Sequence, residues 1–113
     1  MSKQIANTNS DLSTLLAALR KGLADIYGAR LRRVLLFGSH ARGEAQAESD
    51  IDIAVVLEDF DDPLAEIELA SELLAEFCLR HGQVVTLLPI REREYLIARF
   101  PIHMNLRREG VPI

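Results

Sequence analysis

Hydrophobic positions along the chain set out an order of elements. Leu12, Leu15, Leu16, Leu19, Leu23, Ile26 and Tyr27 recur at the spacing of one helical face. Asn9 or Ser10 is placed to cap the start of this helix, and Gly28 its end. Residues 1–9 are polar and lack periodicity, which predicts a disordered tail ahead of a single domain over residues 10–113. The run LRRVLLF, residues 31–37, reads as a buried strand between Gly28 and Gly38. Residues 38–49, GSHARGEAQAES, are small and polar, a connection long enough for a short helix. DIDIAVVL, residues 50–57, begins with strict alternation and becomes continuously apolar, a strand with one polar end. Asp62-Pro63 is a helix start, and Leu64, Ile67, Ala70, Leu74, Phe77 and Cys78 mark an inward face up to Gly82. QVVTLLPI, residues 83–90, is a third strand whose proline puts it at an end or an edge. A short helix over 92–100, interrupted by Pro101, and a further turn or two over 103–109 complete the chain. Strands two and three, joined by a full helix, are expected to run parallel through a right-handed crossover. The fold class is α/β (α+β): a small mixed sheet of three to four strands packed with helices.

Composition narrows the function classes. In 113 residues, 49% are apolar and 27% charged, ordinary for a globular domain and wrong for disordered or fibrous chains. Cys78 is the one cysteine, so an intrachain disulfide and a four-cysteine zinc site are excluded. Its place on the apolar helix face reads as a buried small hydrophobe. His40, His81 and His103 have no metal-ligand spacing, and His40 reads as exposed. No apolar run approaches the roughly 20 residues that span a bilayer, and the first residues lack a signal peptide's apolar core. A cytoplasmic setting is expected. The net charge of −4 hides an asymmetry: Glu44 to Glu76 holds twelve acidic residues and no Lys or Arg. The remainder holds all thirteen basic residues against five acidic ones. That polarity argues against nucleic acid as a direct substrate, and a partner docking on the acidic stretch is expected to be basic.

One stretch carries chemistry. Gly38-Ser39 ends the first strand, and ten residues later Asp50 and Asp52 open the second. Alternation in a strand puts two such aspartates on one face, with Cβ atoms about 7 Å apart. Their repulsion is relieved by a hard divalent cation, Mg²⁺ or Mn²⁺, which ordinarily takes one or two carboxylates plus phosphate oxygens. Gly38 lets the backbone approach a phosphate, Ser39 adds a hydroxyl donor, and Arg42 is within reach of the same phosphate. Together they describe a nucleoside-triphosphate site.

GSHARGEAQAESDIDIAVV resembles the signature of the polymerase-beta-like nucleotidyltransferase superfamily in its minimal (MNT) form: Gly-Ser, ten residues, Asp-x-Asp. The terminal Asn-Leu-Arg-Arg-Glu-Gly is similar to the usual MNT ending. The resemblance implies an MNT-type nucleotidyltransferase domain over residues 10–113. It would transfer a nucleoside monophosphate, AMP from ATP, to a hydroxyl on a partner protein. Gly38 and Ser39 would hold the triphosphate, and Asp50 and Asp52 would be the catalytic metal ligands. It also implies a HEPN-domain partner encoded next door, in a toxin–antitoxin pair with this chain as antitoxin, and assembly as a homodimer or hetero-oligomer. The family's third carboxylate belongs on the next strand, where this chain has no Asp or Glu. Thr86, Gln83 or Val84 stands there, and none is a strong base at pH 7. Glu92, Glu94 and Glu109 are the later acids. The alternative reading is therefore a catalytically weak or inactive MNT-fold module that neutralises its HEPN partner by contact.

Overall fold

The computed structural model describes residues 2–46 and 49–113; Ala47 and Glu48 of the polar connection, and Met1, lie outside it. Helix α1 (Ser2–Tyr27) and a 3-10 turn (Gly28–Arg30) lead into strand β1 (Leu31–Phe37). Helix α2 (Gly38–Arg42), β2 (Ile51–Leu57), α3 (Pro63–His81), β3 (Val85–Arg91), α4 (Glu92–Ile97), α5 (Pro101–Glu109) and β4 (Val111–Pro112) follow.

The sheet order is β3-β2-β1-β4, with β2 and β3 parallel and β1 antiparallel to both β2 and β4. The proline of the third strand sits on an edge strand, as its missing N–H requires. Two core layers flank the sheet. On one face, α1 and α3 bring Leu19, Leu23, Ala70 and Phe77 against Ile51, Ile53, Val55 and Leu57. On the other, α4 and α5 bring Tyr95 and Leu106 against Leu35, Ala54, Val56 and Ile90. Leu19 and Leu23 are fully buried, and each contributes roughly 1.5–3 kcal/mol over exposure.

Three local expectations change. The backbone of α1 is helical from Ser2, so it takes in polar residues where a tail is expected; packing against the core begins at Leu12. On α3, the cap is as expected: Asp62 accepts from the Leu64 N–H and Gly82 closes the helix with positive φ. The buried face, however, is Glu66, Ala70 and Phe77, while Leu64 and Cys78 are exposed. Glu66 is buried because Arg30 pairs with its carboxylate at 2.7 Å and the Tyr27 hydroxyl donates to its carbonyl at 2.7 Å. Ala70, Leu74 and Phe77 of the expected stripe still pack on the core, and Glu66 joins them. Finally, α5 starts at Pro101, not His103: proline suits the first helical position, and the chain breaks before it, at Ala98, whose φ is positive. Among the described residues no helix is long and apolar enough to cross a membrane.

Candidate nucleotide-transfer site

Sheet register brings the candidate residues together. Phe37 pairs with Asp52, and Asp52 pairs with Thr86, so three adjacent strands are level at this point. Gly38 follows Phe37 directly, with φ of 74°. A Cβ at Gly38 would collide with Oδ2 of Asp52. Glycine is needed there twice over, for the left-handed backbone and for the approach of the carboxylate. The other oxygen, Oδ1, accepts a 2.5 Å hydrogen bond from Thr86 Oγ1. Thr86 thus occupies the strand position level with Asp52, and Gln83 and Val84 precede β3 altogether.

Asp52 has the strand parity of Ala54 and Val56, and Thr86 that of Ile90. Both therefore emerge on the sheet face that α4 and α5 cover, beyond the edge of that cover. Asp50 lies one residue ahead of β2 and is exposed; it flanks the strand entrance instead of standing within it. The strand begins at Ile51, whose N–H donates to the Val84 carbonyl at 2.9 Å.

The connection between the two signature halves folds as α2, closed by Gly43 in the left-handed region. Phe37, at the N-cap of α2, makes no side-chain cap to the first-turn N–H groups. His40 is partly buried, where exposure was expected: its Nε2 lies 3.2 Å from the Ser49 carbonyl and ties α2 to the entry of β2. Arg42 donates from Nε to Glu44 at 2.5 Å and reaches Glu109 through NH1 at 3.9 Å. The hydrogen bond to Glu44 raises the Arg42 pKa above its ordinary value, and the charges of Glu44, Glu109 and Asp52 add to the rise. Arg42 is thus a cation within the field of Asp52. The sequence gives no sign that Glu44 and Glu109 meet Arg42; only the fold brings them to it.

The remaining acids are elsewhere. Glu58, Asp59, Glu92 and Glu94 sit at the far ends of β2 and β3, paired with Arg32 or Arg91. Five residues of strand, about 16 Å, separate Thr86 from Arg91. Among the described residues no three His, Cys, Asp or Glu side chains converge as a metal site. Asp52 and Thr86 bring a carboxylate and a hydroxyl together, all oxygen, with an Asp52 oxygen directed at the bare Cα of Gly38, and Asp50 precedes them at the entrance of β2. That set fits one hard divalent cation whose remaining ligands are water or phosphate.

The chain resembles known proteins in sequence and in fold. Residues 26–99 match the family described as Polymerase beta, Nucleotidyltransferase. The chain is 38% identical over 73 residues to Protein adenylyltransferase MntA of Thermococcus cleftensis, covering 65% of this chain and 72% of that one. It resembles a crystal structure of a toxin–antitoxin with AMP-PNP, with a TM-score of 0.58 and 25% identity, over 84% of this chain and 69% of that one. It shares its fold with a chain from a structure of tri-AMPylated Shewanella oneidensis HEPN toxin in complex with MNT antitoxin, with a TM-score of 0.56 and 24% identity, over 88% and 69% of the two chains.

Proposed function

The chain belongs to the polymerase beta nucleotidyltransferase family, and from that premise we propose that it transfers AMP from ATP to a hydroxyl on a HEPN-type partner protein, as the antitoxin of a toxin–antitoxin pair in the cytoplasm. The observation that carries the reading is the contact between Gly38 and Asp52: the phosphate cradle and the acid are packed on each other with no room for a side chain.

In this reading the N–H groups of Gly38 and Ser39 and the Ser39 hydroxyl hold the triphosphate, and Arg42 neutralises it. Asp50 and Asp52 hold a Mg²⁺ or Mn²⁺ ion, which when bound supplies charge neutralisation at the phosphates. The acceptor oxygen attacks the α-phosphorus, the bond from that phosphorus to the bridging oxygen breaks, and pyrophosphate leaves. Thr86, level with Asp52, would take the place of the family's third acid, and its hydroxyl is already donated to Asp52. No side chain of β3 is then a base, and the acceptor's proton passes to a group brought by the partner. Transfer by the isolated chain onto generic acceptors is expected to be slow.

The test is co-expression with the HEPN protein encoded beside it, with mass spectrometry of that protein. An added AMP that disappears in Asp50→Asn/Asp52→Asn supports the reading, and an adduct that survives the double variant overturns the role of these carboxylates. The second reading, neutralisation by contact alone, is favoured by one observation, the threonine at the third-acid position. It predicts tight binding of the partner with no adduct.

A further inference from the structure

The sheet has two unlike outer surfaces. The α1/α3 side carries the exposed acids of α3, including Glu68, Glu72 and Glu76. The α4/α5 side has its acids at the two ends, Glu92 and Glu94 on α4 and Glu109 on α5. Between Ile97 and Arg108 there is no acidic residue and there are three arginines. Ile97 is 63% exposed and Phe100 58%, and both line an open cleft with Glu94, Arg99 and His103. Met104, 52% exposed, lies one helical turn beyond Phe100.

Within the cleft the Glu94 carboxylate is engaged by Arg91 at 2.8 Å and lies 3.7 Å from His103. Arg99 is exposed and makes no ion pair among the described residues. His103 is 94% buried beside the cleft, and its Nδ1, itself buried, has no hydrogen-bond partner among the described residues. The cleft therefore offers apolar walls and an exposed cation with no ion pair among the described residues, features of a surface that becomes complete when covered.

This surface is also continuous with the transfer site. Asp52 and Thr86 emerge on the same face of the sheet. Helix α5 runs from the cleft to Glu109, which reaches Arg42 at 3.9 Å. Its nine residues span about 13 Å. A protein seated in the cleft and along α5 presents its own groups to Asp52, whereas one docked on acidic α3 is on the wrong face of the sheet.

We propose that the α4/α5 cleft and the outer face of α5 are the docking surface for the acceptor protein, which inserts an apolar side chain between Ile97 and Phe100 and flanks it with carboxylates that meet Arg99 and Arg108. The proposal rests on the transferase reading for the identity of the occupant. Apolar anchors in a cleft with a charged rim are the ordinary anatomy of such a contact.

The experiment uses the full chain and the purified HEPN protein encoded beside it. Binding is measured by calorimetry, and transfer is followed with α-labelled ATP at varied partner concentration. Ile97→Glu/Phe100→Glu is expected to weaken partner binding and raise the partner KM at least tenfold, with KM for ATP unchanged. Arg99→Glu is expected to weaken binding several-fold and to flatten its salt dependence. Leu64→Glu/Leu79→Glu on α3, at positions 69% and 88% exposed, is the control and is expected to change neither. The cleft variants alter exposed positions, and an unchanged circular dichroism melt confirms that they fold.

Three results overturn the proposal: loss of binding in the α3 variant with none in the cleft variant, concentration-dependent self-association abolished by the cleft variant, or a small molecule retained in the cleft of the purified chain. Binding that depends on the cleft but yields no labelled partner leaves the surface standing and removes the transferase reading. Labelled partner with unchanged binding in the cleft variant does the reverse.

Discussion

Thr86 Oγ1 donates to Asp52 Oδ1 across the paired strands β2 and β3. The hydroxyl satisfies one carboxylate oxygen and leaves the other facing Gly38. Replacing this hydroxyl with a second carboxylate changes the balance of charge at the site. Thr86→Asp is expected to lower the melting temperature without metal, because two like charges then lie level on adjacent strands. Added Mn²⁺ is expected to restore it by more than it raises that of the wild type. The same variant is expected to transfer AMP to its partner faster. A melt insensitive to Mn²⁺ would mean that the position opposite Asp52 does not face the ion.

Gly38→Ala is expected to abolish nucleotide binding and to destabilise the fold. A residue with a Cβ at positive φ costs about 1–2 kcal/mol, and here the Cβ also meets the Asp52 carboxylate. Gly43→Ala shares the left-handed backbone but meets nothing within contact distance. Its cost is expected to be the conformational part alone, with nucleotide binding largely kept. Chemical denaturation and ATP titration of the two variants separate strain from collision.

Much of this architecture is legible in the chain, and the reason lies in local signals. Asp62-Pro63 and Gly82 delimit α3 because capping is a property of a few neighbouring residues. The signature halves end up in contact because Gly38 follows the end of β1 and Asp52 stands at the start of β2, its antiparallel neighbour. What escapes is set by distant partners. Glu66 is buried through Tyr27 and Arg30, 39 and 36 residues away, which no periodicity records. The level of Thr86 beside Asp52 follows from the parallel register of β2 and β3, which no local pattern in the sequence records. Strand β4 is two residues long, too short for any alternation, and exists because Val111 and Pro112 lie beside β1.

Tyr27 gives the fold a pH limit on the alkaline side. Burial, then the Glu66 charge, pushes its hydroxyl up to about 12, against partial relief from Arg30. The folded state therefore holds this proton more tightly than the unfolded chain, where the group titrates near 10. Stability is fully present below pH 10 and falls as pH rises from 10 towards 12. Tyr27→Phe is expected to lose the hydrogen bond to the Glu66 carbonyl, about 1 kcal/mol at neutral pH, and to show a shallower decline above pH 10. A parallel decline in both proteins would assign the alkaline loss to other groups.

Arg42 is occupied before any nucleotide arrives. Its Nε is bonded to Glu44, and Glu109 lies beyond hydrogen-bond distance but within ion-pair range. Both Arg42 and Glu44 are exposed, so the pair is weak and easily exchanged. A triphosphate brings more charge than one carboxylate and accepts in the same geometry, so it takes the guanidinium from Glu44. Removing the competitor should then favour the nucleotide: Glu44→Gln is expected to bind ATP a few-fold more tightly than the wild type, at unchanged stability. Arg42→Ala is expected to bind it more weakly and with a smaller dependence on ionic strength, because one cation no longer contributes. In the double variant the gain from Glu44→Gln should vanish, since there is no guanidinium left to release. ATP titrations of the four proteins at two salt concentrations decide it. If Glu44→Gln tightens binding equally with and without Arg42, Glu44 acts by direct repulsion of the phosphates instead of by holding the arginine.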